Sequence, residues 1–235
     1  MIETLVAQGG VHIQQRSGQG CVESDGFCPS WIVHNFDRYV GPFWHHVYLT
    51  LVSVGIGFAI AFTLGLIAHR RRWLVGPVTA LTGALYTIPS VALFLLLIPI
   101  TGLSNTTALI ALVSYTLLII FRNVTTGLEN VPDEVKDAGR GMGLTDRQLL
   151  WKVELPLAVP EILAGLRIAT TTTVGLATLA FFAGAGGLGA QIYADTSFKS
   201  NVVTAGGLAI LLAAGLDLIV LGFQRLVTPW RRARA

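Results

Sequence analysis

The sequence predicts an all-α membrane protein with five transmembrane helices, on three observations. Of 235 residues, 53% are hydrophobic and 12% charged, about half the charge density of soluble domains, which is near 25%. Uncharged runs occupy residues 47–68 (22 residues), 73–121 (49), 168–194 (27) and 200–216 (17), the last resuming after Asp217; a helix needs about 20 residues to span hydrocarbon. The lysines and arginines cluster at the edges of these runs.

Residues 1–46 precede the first run. Their first 20 lack the apolar core of a secretory signal, so nothing is expected to be cleaved and the first crossing is expected to target the chain. Cys21 and Cys28 lie here, and in an oxidising compartment they are expected to form a disulfide. Closing so short a loop stabilises by about 2.5 kcal/mol in the chain-entropy model; two free thiols are the alternative. Their spacing from His12 and His34 fits no zinc pattern, so no metal is expected. The first crossing covers 47–68, with His45 and His46 read as interfacial. The 49-residue run must hold two crossings, 74–98 and 106–127, divided at Pro99-Ile-Thr-Gly-Leu-Ser-Asn105, where turn formers gather. The fourth covers 162–184 and the fifth 203–224.

Lysine and arginine remain on the cytoplasmic side of short loops. If the first crossing runs inward, Arg70, Arg71, Arg72, Arg122, Lys136, Arg140, Arg147, Lys152, Arg167, Arg225, Arg231, Arg232 and Arg234 are internal, 13 in all, against Arg16, Arg38 and Lys199 outside. The opposite orientation inverts that ratio. Residues 1–46 are therefore expected outside the plasma membrane and a basic tail, 227–235, inside. The net charge of +3 reflects this topology; with no basic stripe interleaved with aromatics, nucleic acid is not an expected partner.

The longest polar stretch, residues 129–162, joins the third and fourth crossings. Pro132 followed by Asp133 and Glu134 is a helix start, with proline in the first turn and acids against the positive end of the dipole. The helix is expected to fade through Gly139, Gly141 and Gly143. Thr145-Asp-Arg-Gln148 then reads as a capping box, followed by an apolar stripe of Leu149, Leu150 and Val153 that Pro156 is expected to stop. Such an amphipathic knuckle needs a partner surface.

This segment resembles the signature loop of permease subunits of ABC importers: Glu-Ala-Ala, three residues, Gly, nine residues, Ile-x-Leu-Pro. Here it reads Asp137-Ala138-Gly139, then Gly143, nine residues, and Val153-Glu154-Leu155-Pro156, with Asp for Glu, Gly for Ala and Val for Ile. The resemblance covers about residues 45–228 and implies the type I ABC importer permease fold, a transmembrane domain at 47–226 with a cytoplasmic coupling-helix loop at 129–161. It implies that Asp137, Ala138, Gly139, Gly143, Leu144, Leu149, Leu150, Val153, Leu155 and Pro156 couple to a separate ATPase. In that reading Asp137 pairs with a basic group of the ATPase, and Leu144, Leu149 and Leu150 are apolar anchors. It also implies a second permease copy or a paralogue, an extracytoplasmic substrate-binding protein and a lipid surround. ATP would be bound by the partner, so no cofactor is expected in this chain.

The stretches YTIPSVALFLLLIPITGL, RNVTTGL, GRGMGL and FFAGAGGLG resemble the osmoprotectant branch, permeases for glycine betaine, carnitine, choline or proline betaine. Methionine and other amino-acid permeases share the loop and are the alternative cargo class. Quaternary ammonium cargo suits aromatic faces, which makes Tyr86, Phe94, Tyr115, Phe181 and Phe182 candidates for the passage. Asp217, an acid inside a predicted span, is a functional candidate because its burial is expensive; Arg225 two turns on is its expected partner, or else water. Thr170 to Thr173 read as helix-packing residues or as wetting the path.

An enzyme is not indicated. Gly184-x-Gly186-x-x-Gly189 has dinucleotide-fingerprint spacing, but no strand feeds it and no acid follows at the required distance. These glycines are expected to turn the chain at the outer gate or a permease interface. No Gly-x4-Gly-Lys-Ser/Thr, His-Glu-x-x-His or Gly-x-Ser-x-Gly is present. An ion-driven secondary carrier, the rival of another class, usually has more crossings and an internal repeat, and neither is found.

Overall fold

A computed structural model describes residues 19–229. His12 and Arg16, and Arg231, Arg232 and Arg234 of the expected basic tail, lie outside the described residues. Among the described residues eleven α-helices follow in order: α1 Gln19–Glu23, α2 Pro29–His34, α3 Asp37–Arg70, α4 Val75–Thr87, α5 Ser90–Thr101, α6 Asn105–Glu129, α7 Asp133–Gly141, α8 Asp146–Leu149, α9 Leu155–Ala177, α10 Leu188–Ala194 and α11 Lys199–Val227. Short 3-10 turns occupy Arg72–Leu74 and Ala180–Ala183, and one π turn, Leu150–Glu154, joins α8 to α9.

α6 is the central post. Its start is fixed by Ser104, whose side chain accepts from the Thr107 N–H. Its buried residues recur every three or four positions: Ala108, Ala111, Leu112 and Tyr115 join Leu49, Phe94 and Ala177 in one cluster, while Ile120, Phe121, Val124 and Leu128 join Ala61, Ala68, Leu155 and Ile162 in a second. α3 and α9 flank α6 and touch each other, and α11 lies on α9. Close approach depends on small residues, as expected where lipid supplies no hydrophobic drive for helix association. A Cβ on Gly57 would overlap the Thr116 hydroxyl, and one on Gly165 would overlap Asn123.

Among the described residues α3, α6 and α11 are long and apolar enough to cross a membrane, and α4 with α5 makes a fourth as a bent pair. The expected crossing at 74–98 is not one continuous helix: α4 and α5 meet at 96°. Pro89 disfavours helix at Ile88, whose ψ is 129°, and so breaks the run. Pro99 leaves α5 intact; the turn comes at Gly102, φ 72°. α9 carries Glu161, Arg167 and Thr170–Thr173 within its 23 residues, which lowers its apolarity, and α6, α3 and α11 pack against it. It starts at Leu155 and ends at Ala177 rather than spanning 162–184.

At one end of the bundle, Cys21 and Cys28 are bonded, with Cα atoms 6.0 Å apart. The Cys28 N–H donates to Ser200 Oγ at 2.6 Å and that hydroxyl donates to the Gly26 carbonyl at 3.1 Å. Trp31 sets its ring edge-on to Phe198 at 4.7 Å, and Tyr39 donates to Asn201 Oδ1 at 2.7 Å. The bridged segment thus sits on the start of α11. Near this end His46 is fully buried, with Nε2 3.0 Å from the Val174 carbonyl. Its interfacial reading is corrected: α9 and the glycine loop cover it, and a Cβ on Gly187 would stand 3.3 Å from its Nδ1. In that loop Gly184, Gly186 and Gly187 all have φ between 75° and 84°, left-handed conformations that glycine adopts without steric cost. They fold the chain back until Gly189 presses on the Thr178 carbonyl.

Candidate functional site

The opposite end carries Arg70, Arg71 and Arg72 and the polar knuckle. α7 begins behind Pro132 with Asp133 and Glu134 in its first turn. It ends in a Schellman arrangement: the Gly143 N–H donates to the Arg140 carbonyl at 2.9 Å and the Leu144 N–H to the Gly139 carbonyl at 3.2 Å. This motif requires a left-handed residue after the helix, and Gly143 supplies it at φ 82°. α8 starts with the complete capping box of Thr145 and Gln148. The two short helices are stacked, since a Cβ on Gly139 would meet Leu149 Cδ1 at 2.6 Å. Ala138 is exposed on the outer side of α7.

Two expectations about the knuckle are corrected. Pro156 does not end the helix; it lies in the first turn of α9, where its missing N–H costs little. The π turn before it lets the chain continue from α8 into α9, a local expansion that often marks functional sites. Nor do Leu149 and Leu150 face another chain: they are 2% and 5% exposed. Leu149 is held by α7, and Leu150 joins the core cluster at the ends of α3 and α6. Leu155 is buried, with Leu144 and Val153 part-covered. The apolar surface left open is Met142, 75% exposed, Trp151, 55%, and Val135. The sequence reading missed these because Met142 lies among glycines and Trp151 falls in the π turn, outside any 3.6-residue stripe. Asp137 is exposed and accepts from Arg140 Nη1 at 3.0 Å.

A cleft of about 780 Å³ opens between the end of α3 and the knuckle. Arg70, Arg72, Lys136, Arg140 and Arg147 line it with Asp133, Asp146 and Glu154. At its back, His69 Nε2 is 2.7 Å from Glu154 Oε2. Sequence gave no signal for this contact, which joins the last turn of α3 to the last residue of the π turn. The knuckle is therefore fastened twice, by continuous chain to α9 and by this contact to α3.

The residues expected along a passage separate into two groups. Phe94 has no exposed surface and Tyr115 little, so within this chain both pack the core: Tyr115 donates to the Ile88 carbonyl at 2.6 Å and thereby braces the bend between α4 and α5. Tyr86 is open and stands T-shaped against Tyr115 at 5.9 Å. Phe181 touches Phe182 at 4.2 Å and stacks on Tyr193 at 4.6 Å; Tyr193 is exposed and was not anticipated. Asp217 takes its bidentate partner from the neighbouring helix: Arg167 Nε and Nη2 donate to its two oxygens at 2.7 Å each. The expected pairing with Arg225 is corrected, since helix packing sets Arg167 of α9 at the same level.

Residues 53–233 match the family described as binding-protein-dependent transport system inner membrane component. The chain belongs to this family. It is 34% identical to the glycine betaine/carnitine/choline transport system permease protein OpuCB of Bacillus subtilis, over 78% of this chain and 86% of that one. It is 38% identical to the osmoprotectant import permease protein OsmW of Salmonella typhimurium, over 78% and 89%. A solved structure of the MetNI methionine ABC transporter in inward-facing conformations superposes with a TM-score of 0.71 at 25% identity, over 86% of this chain and all of that one. The knuckle between α6 and α9 thus belongs to an inner-membrane permease subunit, a multi-pass protein of the plasma membrane with the type I ABC importer fold.

Proposed function

We propose that this chain forms the membrane passage of an ATP-driven importer of osmoprotectants, cargo of the glycine betaine, carnitine and choline class. The observation that carries the reading is the doubly fastened knuckle, in a chain whose relatives named above are permeases for that cargo. Asp137, Met142 and Trp151 are its free face and dock on a separate ATPase, which binds the ATP; the chain itself needs no cofactor. Because α7 and α8 are stacked and bolted to α3 and α9, a movement of the ATPase turns those helices as rigid bodies. A second permease, the same chain or a paralogue, completes the passage. The basic end is cytoplasmic and the bridged segment faces outward, where an extracytoplasmic binding protein delivers cargo. The exposed aromatics Phe181, Tyr193 and Tyr86 offer ring faces to a quaternary ammonium group.

The test is uptake of labelled glycine betaine, carnitine, choline and methionine into proteoliposomes holding the complete transporter, with ATP inside. ATP-dependent accumulation of a quaternary ammonium compound supports the reading. Accumulation of methionine instead moves the chain to the amino-acid class, which the likeness to the methionine transporter keeps as the second reading. Accumulation driven by an ion gradient without ATP overturns both.

A further inference from the structure

Asp217 lies inside α11, a helix long and apolar enough to cross a membrane, and Arg167 of α9, expected from sequence among the cytoplasmic arginines, meets it there instead. Two contacts tie α3 to α9 at different depths: His46 to Val174, and His69 to Glu154. Along the helix from Glu154 to Val174 those levels are separated by about 30 Å at 1.5 Å per residue. By the same rise Arg167 is roughly 10 Å from the Val174 level and 20 Å from the Glu154 level. At this depth the two side chains keep 31% and 27% of their surface open. Charged groups facing lipid at mid-depth are costly, and such residues turn to a bundle interior or a water-filled cavity. The face of α9 and α11 that carries them is therefore turned away from lipid.

The geometry points to a function for the pair: we propose that Arg167 and Asp217 form a transit site for zwitterionic cargo, one whose carboxylate and quaternary ammonium group replace the two members of the ion pair. This rests on the osmoprotectant reading given above. The Arg167 fork already holds one carboxylate through two parallel hydrogen bonds, the geometry by which guanidinium recognises carboxylates in general. A cargo carboxylate takes that place, and the cargo ammonium group meets the released Asp217. One internal pair is exchanged for two pairs with the cargo, so no charge is left alone in the membrane. A cargo that is only a cation engages Asp217 but strands Arg167. The closed pair is thus a neutral resting state that a zwitterion opens more readily than a simple cation does. Thr171, one turn along α9 from Arg167, spends its hydroxyl on the Arg167 carbonyl at 3.0 Å and marks the same face.

Two measurements on the complete transporter test this. In the first, uptake of glycine betaine and choline is compared in wild type and Arg167→Gln, at equal amounts of membrane-inserted protein. The betaine-to-choline ratio is expected to fall at least tenfold, because only the zwitterion uses the guanidinium. An equal fall for both cargoes makes the pair a structural tie and overturns the proposal. In the second, Thr171→Cys is exposed to a membrane-impermeant thiol reagent. Labelling that saturating glycine betaine suppresses and choline does not is expected; absent labelling, or labelling insensitive to cargo, overturns the proposal. This second measurement decides if Arg167→Gln fails to insert or if the wild type accumulates one charge class alone. A wild type that accumulates neither compound refutes the osmoprotectant reading itself, an outcome distinct from the others.

Discussion

Breaking the contact between His69 and Glu154 should uncouple the transporter rather than merely weaken it. The contact is 2.7 Å long, and the Glu154 side chain is almost wholly enclosed. A hydrogen bond to a charged group contributes about 1.5–3 kcal/mol, and His69→Ala leaves an enclosed carboxylate without this partner. A loss of about 2 kcal/mol shifts the balance between fastened and loosened knuckle roughly 30-fold. Glu154→Gln keeps the shape and an acceptor, so it should cost about 1 kcal/mol. The continuous chain through the π turn still ties the knuckle to α9, so the ATPase should bind and hydrolyse ATP. What fails is the pull on α3. The assay pairs uptake with ATP hydrolysis in proteoliposomes and runs a double-mutant cycle of His69→Ala and Glu154→Ala by thermal unfolding. Uptake per ATP should fall in both single variants, with a coupling energy of about 1–2 kcal/mol. The reasoning is refuted if uptake per ATP is unchanged and the single effects add within about 0.5 kcal/mol.

Asp137→Ala should leave stability within about 0.5 kcal/mol, because its exposed link to Arg140 contributes little, yet reduce uptake severalfold; melting and uptake measured together check this. Trp151→Ala and Met142→Ala should release the ATPase on copurification, whereas Leu149→Ala should instead unfold the knuckle, since a buried leucine costs about 2–5 kcal/mol to truncate. Cys21→Ser should remove about 2.5 kcal/mol from the segment seated on α11, read as faster proteolysis near residue 30. Gly189→Ala places a methyl group into the Thr178 carbonyl, so little folded protein should reach the membrane, as measured by detergent-resistant monodisperse yield.

The helical class and the ends of the bundle were legible because bilayers impose their demands locally. Apolar runs report the spans, and the capping box and Pro132 report where α7 and α8 begin, since the groups that satisfy a helix end are its chain neighbours. The end of α7 was legible only as a run of three glycines; that the helix holds to Gly141 and that Gly143 is the left-handed residue closing it came from the structure. The site itself was only half readable. The stripe of Leu149 and Leu150 was correctly seen as needing cover, but sequence periodicity does not say whether a foreign chain or the protein's own core supplies it. Here the ends of α3 and α6 supply it, and Met142 and Trp151 are left outside.

Sequence alone therefore determined the membrane class, the placement of the knuckle directly after the long apolar helix α6, and the spacing of its signature residues. Each of these follows from local composition and from hydrogen bonds that close within a few residues. Tertiary structure decided the sharp bend at Pro89, the burial of His46, the latch of His69 on Glu154 and the pairing of Arg167 with Asp217. The last two join residues 85 and 50 positions apart, and which charges meet at such separations depends on how the helices pack and slide in register, which the linear order of residues does not encode.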